Sequence, residues 1–347
     1  ESCSYRAAEA GQTRLTRVDV PHATAFSLAT DDAPGGGDAA EQQDCDSLRQ
    51  AMDRSLGPQP GLLAGQNLLL PQLAADPAAT PFMRHEYLAA LHDSGSATAA
   101  TGWQPLFATV QRDDELLAAA PLYPKTHSYG EYVFDWAWAD AYRRHGLAYY
   151  PKLLGAVPFT PVPGARLLAR GAHERRLLLR ALREIARQHE LSSAHLLFLS
   201  DADREAARAE GWLLRSNVQF HWQNPAATPY PDFAAFLAGL QRDKRKKIQQ
   251  ERRRVAEAGI TFEILEGEAI TAAHWDFFYR CYTLTYQAHH STPYLTRDFF
   301  TRMAATMARH WLLFLARRGS ERVACSLIGV DPDRRVAYGR YWGAVEH

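Results

Sequence analysis

Apolar residues recur at helical spacing in several separate stretches of the chain, with short, more uniformly apolar runs between them. Phe82, Met83, Tyr87, Leu88 and Leu91 lie on one helical face just behind Pro81. Proline suits a helix start because its missing N–H is unpaired there in any case, and the turn residues at 93–95 should stop the helix. Residues 105–111 and 115–123 read as two strands around the polar turn Arg112-Asp113-Asp114. Their alternation is imperfect, which suits strands buried on both faces. Helices are expected over 138–150, 173–189 and 201–211, and strands over 195–199 and 212–222. The proline-bound stretch 157–162 should be a loop or an edge segment. This order mixes hairpins with helical crossovers, so the sheet should be mixed. A second cycle follows: a long helix over 232–258 closed by Gly259, a strand at 260–266, and helices at 272–289 and 296–308. Strands at 311–317, 322–330 and 335–342 complete it. The expected class is α/β with mixed sheets, in two units spanning 81–222 and 223–347.

Residues 1–80 are different. Thr30–Gln43 and Gly57–Pro81 are rich in Gly, Pro, Ala and small polar residues, a composition that cannot bury enough apolar surface to form a core. This segment is expected to be irregular and poorly packed, with short elements near 15–20 and 47–56. The 347 residues fit two domains. Lys+Arg and Asp+Glu are 39 each, so no global field points to DNA or a membrane surface, and any electrostatic argument must be local. The four cysteines, Cys3, Cys45, Cys281 and Cys325, have no metal-ligand spacing and read as free thiols in a reducing compartment. No apolar run reaches the roughly 18–20 residues that span a bilayer, and the polar opening is unlike a signal peptide. A cytoplasmic location is the expectation.

Three segments could carry chemistry. The first runs from Gly130 to Tyr142 and interleaves Glu131, Asp135 and Asp140 with aromatic residues including Trp138 and Tyr142. It leads into Tyr149-Tyr150-Pro151-Lys152. Aromatic walls with a few placed polar groups suit a small-molecule cleft; the competing reading is an aromatic core with surface acids. The second is the helix 232–258, which carries eight cations and two acids between Gln241 and Arg254. It reads either as a solvated face with i,i+4 pairs or as a contact for a phosphate-rich partner. The third is Tyr338-Gly339-Arg340-Tyr341-Trp342-Gly343, where glycine on a strand can mark a bulge or a close backbone approach. The sequence has no GxSxG, HExxH, Walker or Rossmann signature. His289-His290 is not a metal signature, because neighbouring helix positions point apart; no metal is expected.

Taken together, Gly130–Asp140, Tyr149–Val162, Val218–Trp222, Arg242–Arg254, Pro293–Phe300 and Tyr338–Gly343 resemble the FemAB-like peptidoglycan biosynthesis/recognition family over residues 81–347. The resemblance implies tandem GNAT-like units (the acyl-CoA N-acyltransferase fold) and acyl or aminoacyl transfer to an amine of a cell-wall precursor or other small molecule. The donor would be an acyl-CoA or an aminoacyl-tRNA. The alternative is a non-catalytic recognition module for a cell-wall or other anionic ligand. The helix that follows the central strands in a GNAT unit would lie after His347, so the second unit is expected to be incomplete. No Gly-rich phosphate loop is evident in the first unit, which weighs against CoA. The family supplies no catalytic residues to carry over, so roles follow from side-chain chemistry. Asp135, Asp140 and Glu131 could orient or deprotonate the amine, and Tyr142 or Tyr150 could protonate the leaving group. Lys152 and Arg340 could hold a phosphate or carboxylate, with Trp138 and Tyr341 as substrate walls. Lys244 and Lys247 could contact phosphates of the donor.

Overall fold

The computed structural model describes residues 13–18, 78–112, 115–133, 135–216, 218–225 and 227–345. The expectation of an irregular segment over 1–80 therefore lies outside the described residues, apart from a strand at Thr13–Val18 and the last three positions. The protein is a mixed α/β structure with two sheets. Among the described residues its strands are β1 (Thr13–Val18), β2 (Leu106–Arg112), β3 (Glu115–Lys125), β4 (Lys152–Gly155), β5 (Leu168–Ala169), β6 (Ala194–Leu196), β7 (Ile260–Glu266), β8 (Trp311–Arg318), β9 (Glu321–Asp331) and β10 (Val336–Ala344). Its helices are α1 (His85–Asp93), α2 (Trp136–Arg144), α3 (Ala172–Gln188), α4 (Asp201–Ala209), α5 (Phe233–Ala238), α6 (Arg242–Glu257), α7 (Ala272–Ala288) and α8 (Arg297–Thr306).

The chain folds into two compact units. One holds the chain up to Leu214 together with Tyr294–Met307; the other holds Arg215–Pro293 and Ala308–His347. In the first, the strand order is β1-β2-β3-β4-β6, with β5 also on β3. All pairs are antiparallel except β4 with β6. A parallel pair needs a long crossover, and α3 supplies it. Leu178, Leu182 and Ile185 repeat at helical spacing and bury one face of α3 against Leu106, Ala108 and Val110 of β2 and Leu117 and Ala120 of β3. Burying each such side chain stabilises by about 1.5–3 kcal/mol.

Helix α8 joins this unit through polar and apolar contacts with α1. The Thr296 hydroxyl caps α8 by accepting from Phe299 N (3.2 Å) and also donates to the Ser94 carbonyl. Thr296 N donates to Ser96 Oγ (3.1 Å), and the Phe299 ring meets Tyr87 edge-on at 5.4 Å. In the second unit the order is β10-β9-β8-β7, antiparallel throughout, so only the first sheet is mixed. Helix α7 covers one face of this sheet, burying Trp275, Phe278, Cys281 and Tyr282. Gly343 permits that approach, because a Cβ there would sit 2.5 Å from the Cys281 carbonyl oxygen.

Several expected elements changed. The helix at 232–258 breaks into α5 and α6 at Gly239, Leu240 and Gln241. Gly239 lies against the Tyr230 ring, where a Cβ would meet the hydroxyl at 2.9 Å. The described residues between 212 and 222 form no strand, and Leu213 and Phe220 there are almost fully exposed. β-Propensity is decided by the surface a strand lies against, and no sheet edge takes this stretch. The helix expected at 138–150 runs instead over Trp136–Arg144. Strands β4 and β5 were not foreseen: each is too short to show a period of two.

A buried ionic latch holds the loop after β4. Asp203, fully buried near the start of α4, accepts from Arg166 N (2.6 Å), Leu167 N (3.3 Å) and Arg175 Nε (2.9 Å). The buried Arg166 guanidinium donates to the Val162 carbonyl at 2.5 Å. Removing one partner of such a set strands the others in a dry place. Asp203→Ala is expected to cost about 3–5 kcal/mol in urea denaturation. Glu205→Ala, which breaks an exposed pair with Arg208, should stay within about 0.5 kcal/mol.

Candidate functional site

The site begins with strand register. Strand β3 ends at Lys125, and β4 begins at Lys152 directly opposite it. Like charges facing each other across an antiparallel pair repel, and both side chains are almost wholly buried. Two carboxylates offset them. The chain leaves β3, turns through Ser128, and returns over the strand ends as Glu131 and Asp135, which are also buried. Gly130 makes this turn possible: its φ is +79°, and a Cβ would lie 2.6 Å from the Phe159 ring.

Lys152 is the hub. Its ammonium donates to Ser128 Oγ (2.8 Å), Glu131 Oε2 (2.9 Å) and Asp135 Oδ2 (2.5 Å), which uses all three protons. Asp135 Oδ2 also accepts from the Tyr149 hydroxyl at 2.7 Å. The Tyr150 hydroxyl pairs with Ser128 Oγ at 2.7 Å. Lys125 lies 3.7 Å from the centre of the Trp103 ring and donates a long bond, 3.4 Å, to the Tyr129 carbonyl. Glu131 Oε1 and Asp135 Oδ1 are buried without a protein hydrogen-bond partner, so a donor is wanted at each.

Burial acts differently on each group. It lifts Glu131 above the usual carboxylate range, and repulsion from Asp135 adds to this despite Lys152 and Lys125. Burial also raises Asp135, but hydrogen bonds from Lys152, Tyr149 and Ser128 outweigh it and leave the carboxyl below its ordinary value. Burial pushes Lys125 down to about 7, against the pull of Glu131 and with the push of Lys152. Burial lifts both Tyr149 and Tyr150.

A groove of about 480 Å³ adjoins this cluster, lined by Trp136, Ala139, Asp140, Arg143, Leu147, Tyr149 and Tyr150. Its size and aromatic walls suit a small polar group on a larger molecule. Tyr150 belongs to both groove and cluster, so a hydrogen-bonded path runs from the groove through Ser128 and Lys152 to the carboxylates.

Of the residues singled out in the sequence, Glu131, Asp135, Tyr150 and Lys152 meet in this cluster. Asp140 lines the groove, held by Arg143 and by Arg144 at 2.7 Å. The Tyr142 ring meets Tyr149 edge-on at 5.2 Å, and Trp138 is half-exposed on α2. Arg340 and Tyr341 lie in the other unit on β10, whose register shifts between Gly339 and Tyr341. There the Arg340 guanidinium covers the Tyr341 ring at 5.0 Å and donates to its hydroxyl at 3.0 Å. Lys244 and Lys247 are exposed on α6, with Lys247 3.9 Å from Glu251. Sequence reasoning passed over Lys125, Ser128, Tyr149 and Trp103. Tyr149 was visible beside Tyr150, but Lys125 and Ser128 gain meaning only once β3 is paired with β4.

Lys152→Met should leave two buried carboxylates without their main cation. The expected loss is about 3–5 kcal/mol at pH 8. The orphaned carboxyls would then have folded pKa values above their unfolded ones, so the loss should shrink as pH falls toward 5. Urea melts of both proteins at the two pH values check this. A search among curated proteins finds no match to this chain. The sequence profile described as FemAB-like, peptidoglycan biosynthesis/recognition, matches residues 69–347, which take in both sheets from β2 onward and the whole buried cluster. The chain belongs to the FemAB-like family.

Proposed function

We propose that this chain is a cytoplasmic N-acyltransferase, built from GNAT-like units, that transfers an acyl or aminoacyl group to an amine of a peptidoglycan precursor. Membership of a family concerned with peptidoglycan biosynthesis supports the pathway. The observation that carries the chemistry is the pair of buried carboxylate oxygens without a protein partner, linked to an aromatic groove through Tyr150, Ser128 and Lys152. An incoming amine supplies the N–H donors these oxygens lack. Among the described residues no helix is long and apolar enough to cross a membrane.

In this reading the amine enters neutral, is held by Asp135, and gives one proton to Glu131 as the C–N bond forms. Asp135 is the poorer base because its hydrogen bonds hold it ionised. Glu131, lifted by burial, is the better acceptor near neutral pH. The nitrogen lone pair forms the C–N bond at the acyl carbonyl. The bond from that carbon to the donor's sulfur or oxygen breaks, and Tyr150 protonates the leaving group. The turnover leaves Glu131 protonated and Tyr150 ionised. The path through Lys152 and Ser128 links the two and restores both. Asp140 and Tyr142 shape the groove wall, and Trp138 extends its aromatic rim. Arg340, Tyr341, Lys244 and Lys247 are proposed contacts for the donor, whether acyl-CoA or aminoacyl-tRNA.

The decisive experiment incubates the protein with an amine-bearing muropeptide and each donor class, following the amide product by mass spectrometry. Glu131→Gln should lower turnover by about 10²–10⁴-fold, and Tyr150→Phe should lower it with little change in KM. Binding of the muropeptide without product from either donor would leave the recognition reading standing. A separate prediction concerns α6, which buries none of its residues and exposes Lys244, Lys246, Arg252 and Arg253. Replacing Lys244, Lys246, Arg252 and Arg253 with Gln should flatten the salt dependence of donor binding by roughly one unit for each lost phosphate contact. Filter binding across a salt series measures that slope.

A further inference from the structure

Lys125 is the one buried charge of the cluster that the proposed reaction does not use. It lines no part of the groove, and it is fully buried at the end of β3. Its polar contact is slight: one bond of 3.4 Å to the Tyr129 carbonyl. Lys152, by contrast, is held by three acceptors. A long aliphatic residue would fill the space over Trp103 at lower cost than a desolvated ammonium. What lysine adds at this position is charge.

The balance of the site shows what that charge does. Glu131 and Asp135 bring two negative charges to a dry place, and Lys152 supplies one positive charge. Without Lys125 the cluster would hold an unbalanced anion, which is costly and is relieved by protonating a carboxyl. Asp135 is fixed as the anion by its hydrogen bonds. The carboxyl that would take up the proton is therefore Glu131.

We propose that Lys125 is a positioning residue for Glu131: its ammonium, seated over Trp103 and opposite Lys152, is the second cation that keeps the Glu131 carboxylate ionised and ready to accept a proton. The catalytic consequence rests on the reading of Glu131 as the base; the electrostatic pairing does not. Glu131 and Lys152 are the ionisable groups whose charges act on Lys125. His127 on the same turn also feels Lys125; burial first, and then that charge, push its imidazole down. Burial sets Lys125 at about 7. With Lys125 charged and both carboxylates ionised the cluster is balanced; with Lys125 neutral it carries one net negative charge and Glu131 loses its support. The acid limb of transfer should therefore follow Glu131, and its position should depend on Lys125.

The test uses the full chain with 13C-labelled glutamate carboxyls, titrated by NMR, with the Glu131 signal assigned from Glu131→Gln. In Lys125→Met the Glu131 titration should move upward by about one pH unit or more. In Lys125→Arg, which keeps the charge, it should stay near the wild-type position. An unchanged Glu131 titration in the folded Lys125→Met variant overturns the proposal. Should that variant not fold, the reciprocal measurement decides. With 13C-labelled lysine, Glu131→Gln should lower the Lys125 titration, because a coupling acts equally in both directions; no movement overturns the proposal. Neither measurement needs turnover. If Glu131→Gln keeps full transferase activity while these shifts appear, the base assignment falls and the pairing stands.

Discussion

Two lysines stand opposite each other where β3 hands over to β4. Backbone pairing fixes that register, and burial removes the water that would otherwise screen the charges. Everything in the turn from Ser128 to Asp135 answers this constraint. The carboxylates must come back over the strand ends, Gly130 must adopt a positive φ to let them, and Ser128 must take the remaining lysine proton. A buried set of this kind contributes less to net stability than to uniqueness, because its desolvation cost offsets much of its Coulomb gain. It fixes the groove wall by fixing Tyr149 and Tyr150, which bond to its members.

The same cluster gives one place two kinds of carboxyl. Asp135 is saturated on one oxygen and held ionised, while Glu131 is driven the other way by burial. Pairs of acids pushed apart by their surroundings can divide the work of binding and proton transfer. A tyrosine that reaches both the groove and the cluster ties the two together by hydrogen bonds.

The second unit is built on a different economy. Its sheet is buried on one face by the aromatic residues of α7, where Tyr282 meets Tyr341 edge-on at 5.3 Å. The outer side of β7 keeps Phe262 and Ile264 exposed. Helix α6 rests against β7 and buries none of its own residues. Its order comes from backbone bonds and propensity, and most of its cations are exposed, where each is worth little to stability.

Local signals in the sequence were enough for most elements. The apolar spacing of α3 and α7, the polar turn between β2 and β3, and the strand at β7 were legible because each depends on residues close together in the chain. The mixed α/β class, the family and the chemical richness of 130–152 followed from the same kind of evidence. Elements that lean on distant partners were not legible. β4 is a strand because β3 and β6 flank it, and 212–222 is not one because nothing pairs with it. Gly239 ends a helix that periodicity alone would continue. The sequence by itself determined which residues could carry charge and chemistry. Only the tertiary structure decided that Lys125 faces Lys152 and that Ser128 links Tyr150 to the carboxylates. Distances across a sheet are set by register, and register is a property of the packed whole.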